Sequence, residues 1–175
     1  MIIKILEQTM KQLLAFHGDK AVKKKYLKRV LAHEKADEIA HGFYWENGKG
    51  CAVGCTIEGS DHSRYETELG IPAEIAYLED VIFEGMTNGD SKKFPAQFLK
   101  AVKVGSDLSK VVAQLVIWQF EDKKYGLRNI KEVREDKEVM GWCEEVVALY
   151  RRSMTEEVKE SEYLELYEKI DRAGA

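Results

Sequence analysis

Proline is nearly missing from this chain, with only Pro72 and Pro95 among 175 residues. Little therefore interrupts helices, and both prolines fit helix starts, where the missing N–H costs nothing. Long apolar runs are missing too. The opening MIIKILEQTMKQLLAF is broken by Lys4, Glu7 and Lys11, well short of the roughly 20 residues a membrane span needs. It also lacks a signal peptide's unbroken apolar segment and small-residue cleavage site, so a cytoplasmic location and no membrane partner are expected. The three cysteines are an odd number without an export signal, which argues against a disulfide scaffold and for reduced thiols. There is no surplus of positive charge. With 27 Lys and Arg against 31 Asp and Glu, the net charge is -4 and the pI about 5.7, so nucleic acid is not implied and the basic run Lys23, Lys24, Lys25, Lys28, Arg29 is local.

What remains is a length suited to one domain, with 45% hydrophobic and 33% charged residues, enough to build a core without a partner. The periodicity is helical. A long run is read over 20–41, and PAEIAYLEDVIFEGM sets Ile75, Leu78 and Ile82 on one side before Gly85. Ser106 or Asp107 can cap a helix reaching about Lys124, and a further helix follows over about 129–152, with Val133, Met140, Cys143, Val147 and Tyr150 as its stripe. A last helix, capped by Ser153 or Thr155, carries Tyr163, Leu166, Tyr167 and Ile170. The expected fold class is all-α: a single-domain bundle of six or seven helices over 1–175, with one glycine-rich, non-helical loop at about 43–71.

The helix expected upstream of that loop has an inner face that turns polar. At 100° per residue, Leu27, Val30 and Leu31 share a stripe about 60° either side with Glu34, Glu38 and His41, and Asp37 stands on its shoulder. The alternative face, Ala32, Ala36, Ile39 and Ala40, would leave those acids in water. Packed inward, they would require a cation or a hydrogen-bond network. Glu38 and His41 have the Glu-x-x-His spacing of di-iron bundles, but the sequence holds no second copy. His33, Asp37 and His41, at i, i+4 and i+8, are a candidate set for a single divalent metal. Downstream, Glu79 lies between Ile75, Ile82 and Phe83 around the wheel and is a candidate buried acid.

The glycine-rich loop contains GKGCAVGCTIEGSDHSRYE, residues 48–66. Cys51, Cys55 and His62 could supply three ligands of a structural zinc, with His41 or Asp61 as the fourth. They could equally form a thiol site. In that reading Lys49 and free N–H groups lower the Cys51 pKa, His62 is the base, and Asp61, Glu66 or a helical acid orients it. The third reading makes both cysteines small apolar plugs and SDHSRYE a capped helix start. Phosphate-loop, serine hydrolase, kinase and zincin signatures are all absent from the sequence.

ADEI at 36–39, YWENGKGCAVGCT at 44–56, YETELGIP at 65–72, LEDVIFEG at 78–85 and VGSDL at 104–108 resemble a family of uncharacterised bacterial and phage-related proteins. The resemblance covers about residues 30–110, leaving 111–175 as long supporting helices. It brings no activity with it, and family members carry a polar residue other than His at the position of His41. The resembling segments coincide with the polar helix face, the cysteine loop and the acid-bearing helix, which implies one shared pocket. The leading expectation is a small thiol-dependent hydrolase or group-transfer enzyme, with Cys51 as nucleophile, Cys55 beside it, His62 as base and Glu38 or Glu79 as orienting acid. Glu34, Asp37, His41, Trp45, Lys49, Asp61 and Glu66 are its binding residues. No cofactor is predicted, a single zinc or other divalent metal being the alternative, and the partner is an unidentified small molecule or protein. The other classes are a non-enzymatic phage or mobile-element interaction protein and a metal-binding helical protein.

Overall fold

The computed structural model describes residues 13–174, so the expectation for the apolar start with Lys4, Glu7 and Lys11 lies outside the described residues. Among the described residues the chain is all-α apart from one two-stranded hairpin. Among the described residues no helix is long and apolar enough to cross a membrane. Two compact units divide it, one spanning 10–109 and the other containing 110–175.

In the first unit, a short 3-10 turn (Ala15–Gly18) leads into α1 (Lys20–Ala36). Asp19 starts α1 by accepting the Ala21 N–H at 2.7 Å. The helix stops well before His41, because Asp37 adopts the left-handed conformation (φ 59°, ψ 40°) and turns its N–H back to the carbonyls of His33 and Glu34. Glu38 and His41 are therefore not on a helix, and neither the Glu-x-x-His spacing nor the i, i+4, i+8 set holds. The buried residues of α1 are Tyr26, Val30 and His33, not the expected stripe through Leu31 and Glu34. Much of the basic run is used within the unit. Lys23 Nζ donates to the carbonyls of Lys100 and Val102, and an Arg29 guanidinium N–H donates to the Thr56 carbonyl.

The stretch expected to be a non-helical loop is largely structured. Trp45–Glu46 (β1) and Lys49–Gly50 (β2) pair antiparallel in the register Trp45 to Gly50 and Glu46 to Lys49. Asn47 and Gly48 turn the hairpin with φ of 51° and 81°, the two positive values that an Asn-Gly pair accommodates. Then come α2 (Ala52–Ile57) and α3 (Arg64–Leu69). All six residues of α2 are buried. A Cβ on Gly54 would sit 1.7 Å from the Tyr44 carbonyl oxygen, so glycine alone lets residues 43–45 lie directly on α2.

Pro72 caps the start of α4 (Ala73–Gly85), α5 covers Asn88–Ser91, and Pro95 sits in the first turn of α6 (Phe94–Ala101). Helix α2 packs against α1, α4 and α6. The core gathers Phe16, Tyr26, Val30, Cys51, Val53, Ile57, Tyr65, Leu69, Ile71, Phe83 and Leu99. Antiparallel pairing of Leu14 with Asp107 joins the two ends of the unit. The buried face of α4 is Ala76, Glu79, Asp80 and Phe83, while Ile82 is exposed. That helix is rotated from the aliphatic stripe and turns two acids inside, where the Tyr65 hydroxyl meets Glu79.

The second unit contains α7 (Val111–Glu121), a 3-10 turn (Leu127–Asn129), α8 (Lys131–Glu135), α9 (Lys137–Ser153) and α10 (Glu160–Gly174). Asp107 accepts from the Ser109 N–H and hydroxyl, ahead of α7. The helix expected over 129–152 is interrupted at Asp136, which caps α9 through the N–H groups of Glu138 and Val139. The last helix begins at Glu160, later than a cap at Ser153 or Thr155 would place it, and the Ser153 hydroxyl donates to the Tyr150 carbonyl. Helix α9 packs on α7, α8 and α10.

Candidate metal centre

Cys51 is the residue before α2, in extended conformation, with its N–H donated to the carbonyls of Phe43 and Tyr44. Its Sγ accepts the Gly54 N–H at 3.3 Å. That geometry throws the sulfur back over the start of α2, toward α4. His62 comes from the turn between α2 and α3, and Asp80 from the middle of α4. Cys51 Sγ, a ring nitrogen of His62 and a carboxylate oxygen of Asp80 all lie within 4.8 Å of one another. All three residues are buried, His62 to 2% exposure.

The hydrogen bonds of His62 define what this triangle can do. Its Nδ1 faces the Ser60 carbonyl at 3.3 Å, and its Nε2 lies 3.7 Å from Asp80 Oδ2 with no hydrogen-bond partner. A carbonyl oxygen can only accept, so Nδ1 is the donor in that contact, while Nε2 is directed at the carboxylate. Asp80 Oδ1 is likewise buried without a partner. Two rings fix the imidazole: Tyr77 stacks on it at 4.8 Å and 3°, and Tyr44 meets it edge-on at 4.6 Å.

The electrostatics centre on Asp80. Burial raises its pKa, but the neighbouring His62 ring and Cys51 thiol outweigh that and hold the carboxyl below its ordinary value. Burial, and then the same Asp80 carboxylate, push the Cys51 thiol well up, against a smaller opposing effect of the Gly54 N–H. The lowered thiol pKa expected from Lys49 and the free N–H groups is thus reversed. Next to Asp80 in sequence, Glu79 is fully enclosed and its pKa is raised to about 8, chiefly by burial; the Tyr65 hydroxyl, which donates to Oε2 at 2.8 Å, works against this, and the Asp80 charge adds to it. Glu79 Oε1 has no partner.

The remaining residues singled out from the sequence are dispersed. Glu38 faces His33 Nδ1 at 2.6 Å rather than His62. Asp37 pairs with Lys92. His41 faces the Ser91 hydroxyl at 2.8 Å and Glu84 at 3.3 Å, and stacks on Phe83. His33, Asp37 and His41 therefore do not converge. Cys55 points its thiol to the Gly50 carbonyl at 3.3 Å, with its pKa raised by burial to about 12; it is not one of the three converging donors. Asp61 is exposed and accepts from the Ser63 N–H and hydroxyl, holding the turn ahead of α3. Trp45 packs edge-on against His33. Lys49 is exposed, while Glu34 and Glu66 are half-buried.

The sequence reading missed Asp80. A pair of adjacent acids in the otherwise apolar YLEDVIF was the available signal, since on a helix only one of the two could sit on an aliphatic stripe's flank. Beside the triangle, Gly42, Phe43, Tyr44, Asp80 and Glu84 line a pocket of about 500 Å³. No family profile, curated protein or solved structure matches this chain.

Proposed function

We propose that the chain is a metal-dependent hydrolase, in which Cys51 Sγ, His62 Nε2 and the Asp80 carboxylate hold one zinc-class divalent cation. The observation that carries this reading is the convergence of three different buried donor residues, two of which hold a buried atom with no hydrogen-bond partner, His62 Nε2 and Asp80 Oδ1. A buried polar atom without a partner costs about 1–3 kcal/mol, and a shared cation would relieve both at once. Ligand atoms around four-coordinate zinc stand roughly 3.3–3.6 Å apart, given Zn–S near 2.3 Å and Zn–N near 2.0 Å. The 3.7 Å between His62 and Asp80 already approaches that.

Three protein donors are the number that leaves a position for water or substrate. A cation there supplies a Lewis acid that acidifies water and polarises a carbonyl. Cys51, His62 and Asp80 would hold the ion, which would supply Lewis acidity for a hydrolysis in which water adds to a carbonyl carbon, the bond to the leaving nitrogen or oxygen breaks, and a water proton goes to that leaving atom. The His62–Ser60 contact presets the tautomer that ligation needs, and Asp80 is both a donor and part of the pocket wall.

A Cys–His–acid relay fits less well. It needs the acid on one ring nitrogen and the thiol on the other, whereas Asp80 faces Nε2 and a carbonyl occupies Nδ1. One observation still favours thiol chemistry: the Gly54 N–H directed at Cys51 Sγ, with His62 nearby.

Elemental analysis of untagged protein and calorimetric zinc titration test the two. The metal reading expects one zinc per chain, with loss of at least tenfold in affinity for Cys51→Ser, His62→Ala or Asp80→Asn. It is wrong if zinc binding is absent, or survives all three substitutions. Stoichiometric alkylation of Cys51 in the native, metal-free protein at neutral pH would favour the thiol alternative.

A further inference from the structure

The surroundings of the triangle carry information about substrate. Among the described residues of the first unit, a group of large apolar side chains near the centre stands exposed. Phe43 and Tyr44 line the pocket from the loop before β1. On α4, Tyr77 is 53% exposed and Val81, one turn on and adjacent to Asp80, is 69% exposed. Tyr77 and Tyr44 both lean on the His62 ring. Apolar surface left in water at the mouth of a polar centre is where a ligand's apolar part gains from burial.

The remaining wall does not ask for a charged ligand. Both oxygens of Glu84 accept the Gly42 N–H, at 3.1 and 3.2 Å, and Glu84 also faces His41. Its charge is engaged in holding the turn at residues 41–42, so it closes the pocket without calling for a cation. The volume of about 500 Å³ well exceeds the ~150 Å³ in which an apolar cavity holds a benzene ring.

We infer that the substrate is a neutral carboxylic acid derivative, an amide or ester, carrying an aromatic or similarly bulky apolar group next to its scissile carbonyl. That group rests on Phe43, Tyr44, Tyr77 and Val81, which brings the carbonyl to the edge of the triangle at Asp80. This inference rests on the metal-centre reading above.

The test uses the zinc-loaded full chain and two probes with the same metal-chelating head, acetohydroxamic acid and benzohydroxamic acid. Zinc stoichiometry is measured first, and each probe is then titrated by calorimetry. Benzohydroxamic acid is expected to bind at least tenfold more tightly. Phe43→Ser, on the pocket wall, and Val81→Ser, next to Asp80 on α4, should each cut that preference severalfold with zinc affinity unchanged. If zinc binds and the two probes differ by less than twofold, the substrate inference is overturned while the metal centre stands. A preference that persists in both variants overturns it as well, because the ring must then bind elsewhere. If no zinc binds, the metal reading falls and takes this inference with it.

Discussion

The two units of this chain spend their apolar residues differently. Within 13–109, a continuous core runs from Ala15 to Leu99, and polar groups are buried with it: His62, Glu79, Asp80 and Thr56. Among the described residues of 110–174, only Ala113, Gly126 and Val147 are buried, while Trp118, Tyr125, Leu127, Ile130, Leu164 and Tyr167 are exposed. The second unit is as regular in its helices as the first, so helix formation and core formation are separate achievements. Its surface carries ion pairs, such as Lys169 with Glu145, Arg151 with Glu121 and Arg152 with Glu162. Exposed pairs of that kind contribute about 0–1 kcal/mol each. A site needs rigid walls, and the unit with the core is the one that brings Cys51, His62 and Asp80 together.

Truncating a core ring should break the first unit most severely. Phe83→Ala removes a fully buried ring stacked on His41 and should cost about 3–5 kcal/mol. The loss is read as faster native-state hydrogen exchange of α2 and α4. Tyr65→Phe should come next. It takes the hydroxyl from Glu79, leaving that enclosed carboxyl with neither oxygen satisfied, at about 1–3 kcal/mol in the same segments. In the second unit, Val147→Ala should cost only about 1–2 kcal/mol, because its surroundings are thinner and collapse more easily. Trp118→Ser, at a half-exposed ring, should change stability by less than about 0.5 kcal/mol. A cost for Trp118→Ser as large as that for Phe83→Ala would mean that the exposed face is covered in solution, and the contrast between the units would be lost.

Much of this contrast could be read in the sequence and some could not. Pro72 and Pro95 mark the starts of α4 and α6 because the ring's fixed φ is a local constraint. The break at Asp37 could not be read in the same way, since aspartate tolerates both the helical and the left-handed conformation and the Ile39–Gly50 bridge that follows it is a contact distant in sequence. Asn47-Gly48 was a legible hairpin turn, obscured by the glycines around it. Cys51 and His62 stand out by residue type within one short stretch, and folding brings them to the same place. Asp80 does not stand out, because counting aliphatic residues on α4 favours the face carrying Ile75, Leu78 and Ile82. The observed face is polar since Tyr65, Cys51 and His62 await it, and those partners are visible only once α2 and α3 are folded.

The smallest expected effect concerns Glu68, at the edge of the first unit. Its carboxylate accepts the Tyr26 hydroxyl, and its Oε1 accepts the Arg64 Nε–H at 2.6 Å. Burial raises the Glu68 pKa, yet the bonds from Tyr26 and Arg64 outweigh it and leave the group below its ordinary value. A carboxyl with a folded-state pKa below its unfolded one stabilises above the unfolded value, and that contribution is lost as pH falls through the folded value. Thermal melts of the wild-type chain should therefore lose a small increment on acidification below about pH 4.5. Glu68→Gln should melt about 1–3 °C lower at neutral pH, with the difference closing in acid. The same gap at pH 3 as at pH 7 would show that the Tyr26–Glu68–Arg64 contacts act through shape rather than charge. The first unit would then owe its margin to its core alone.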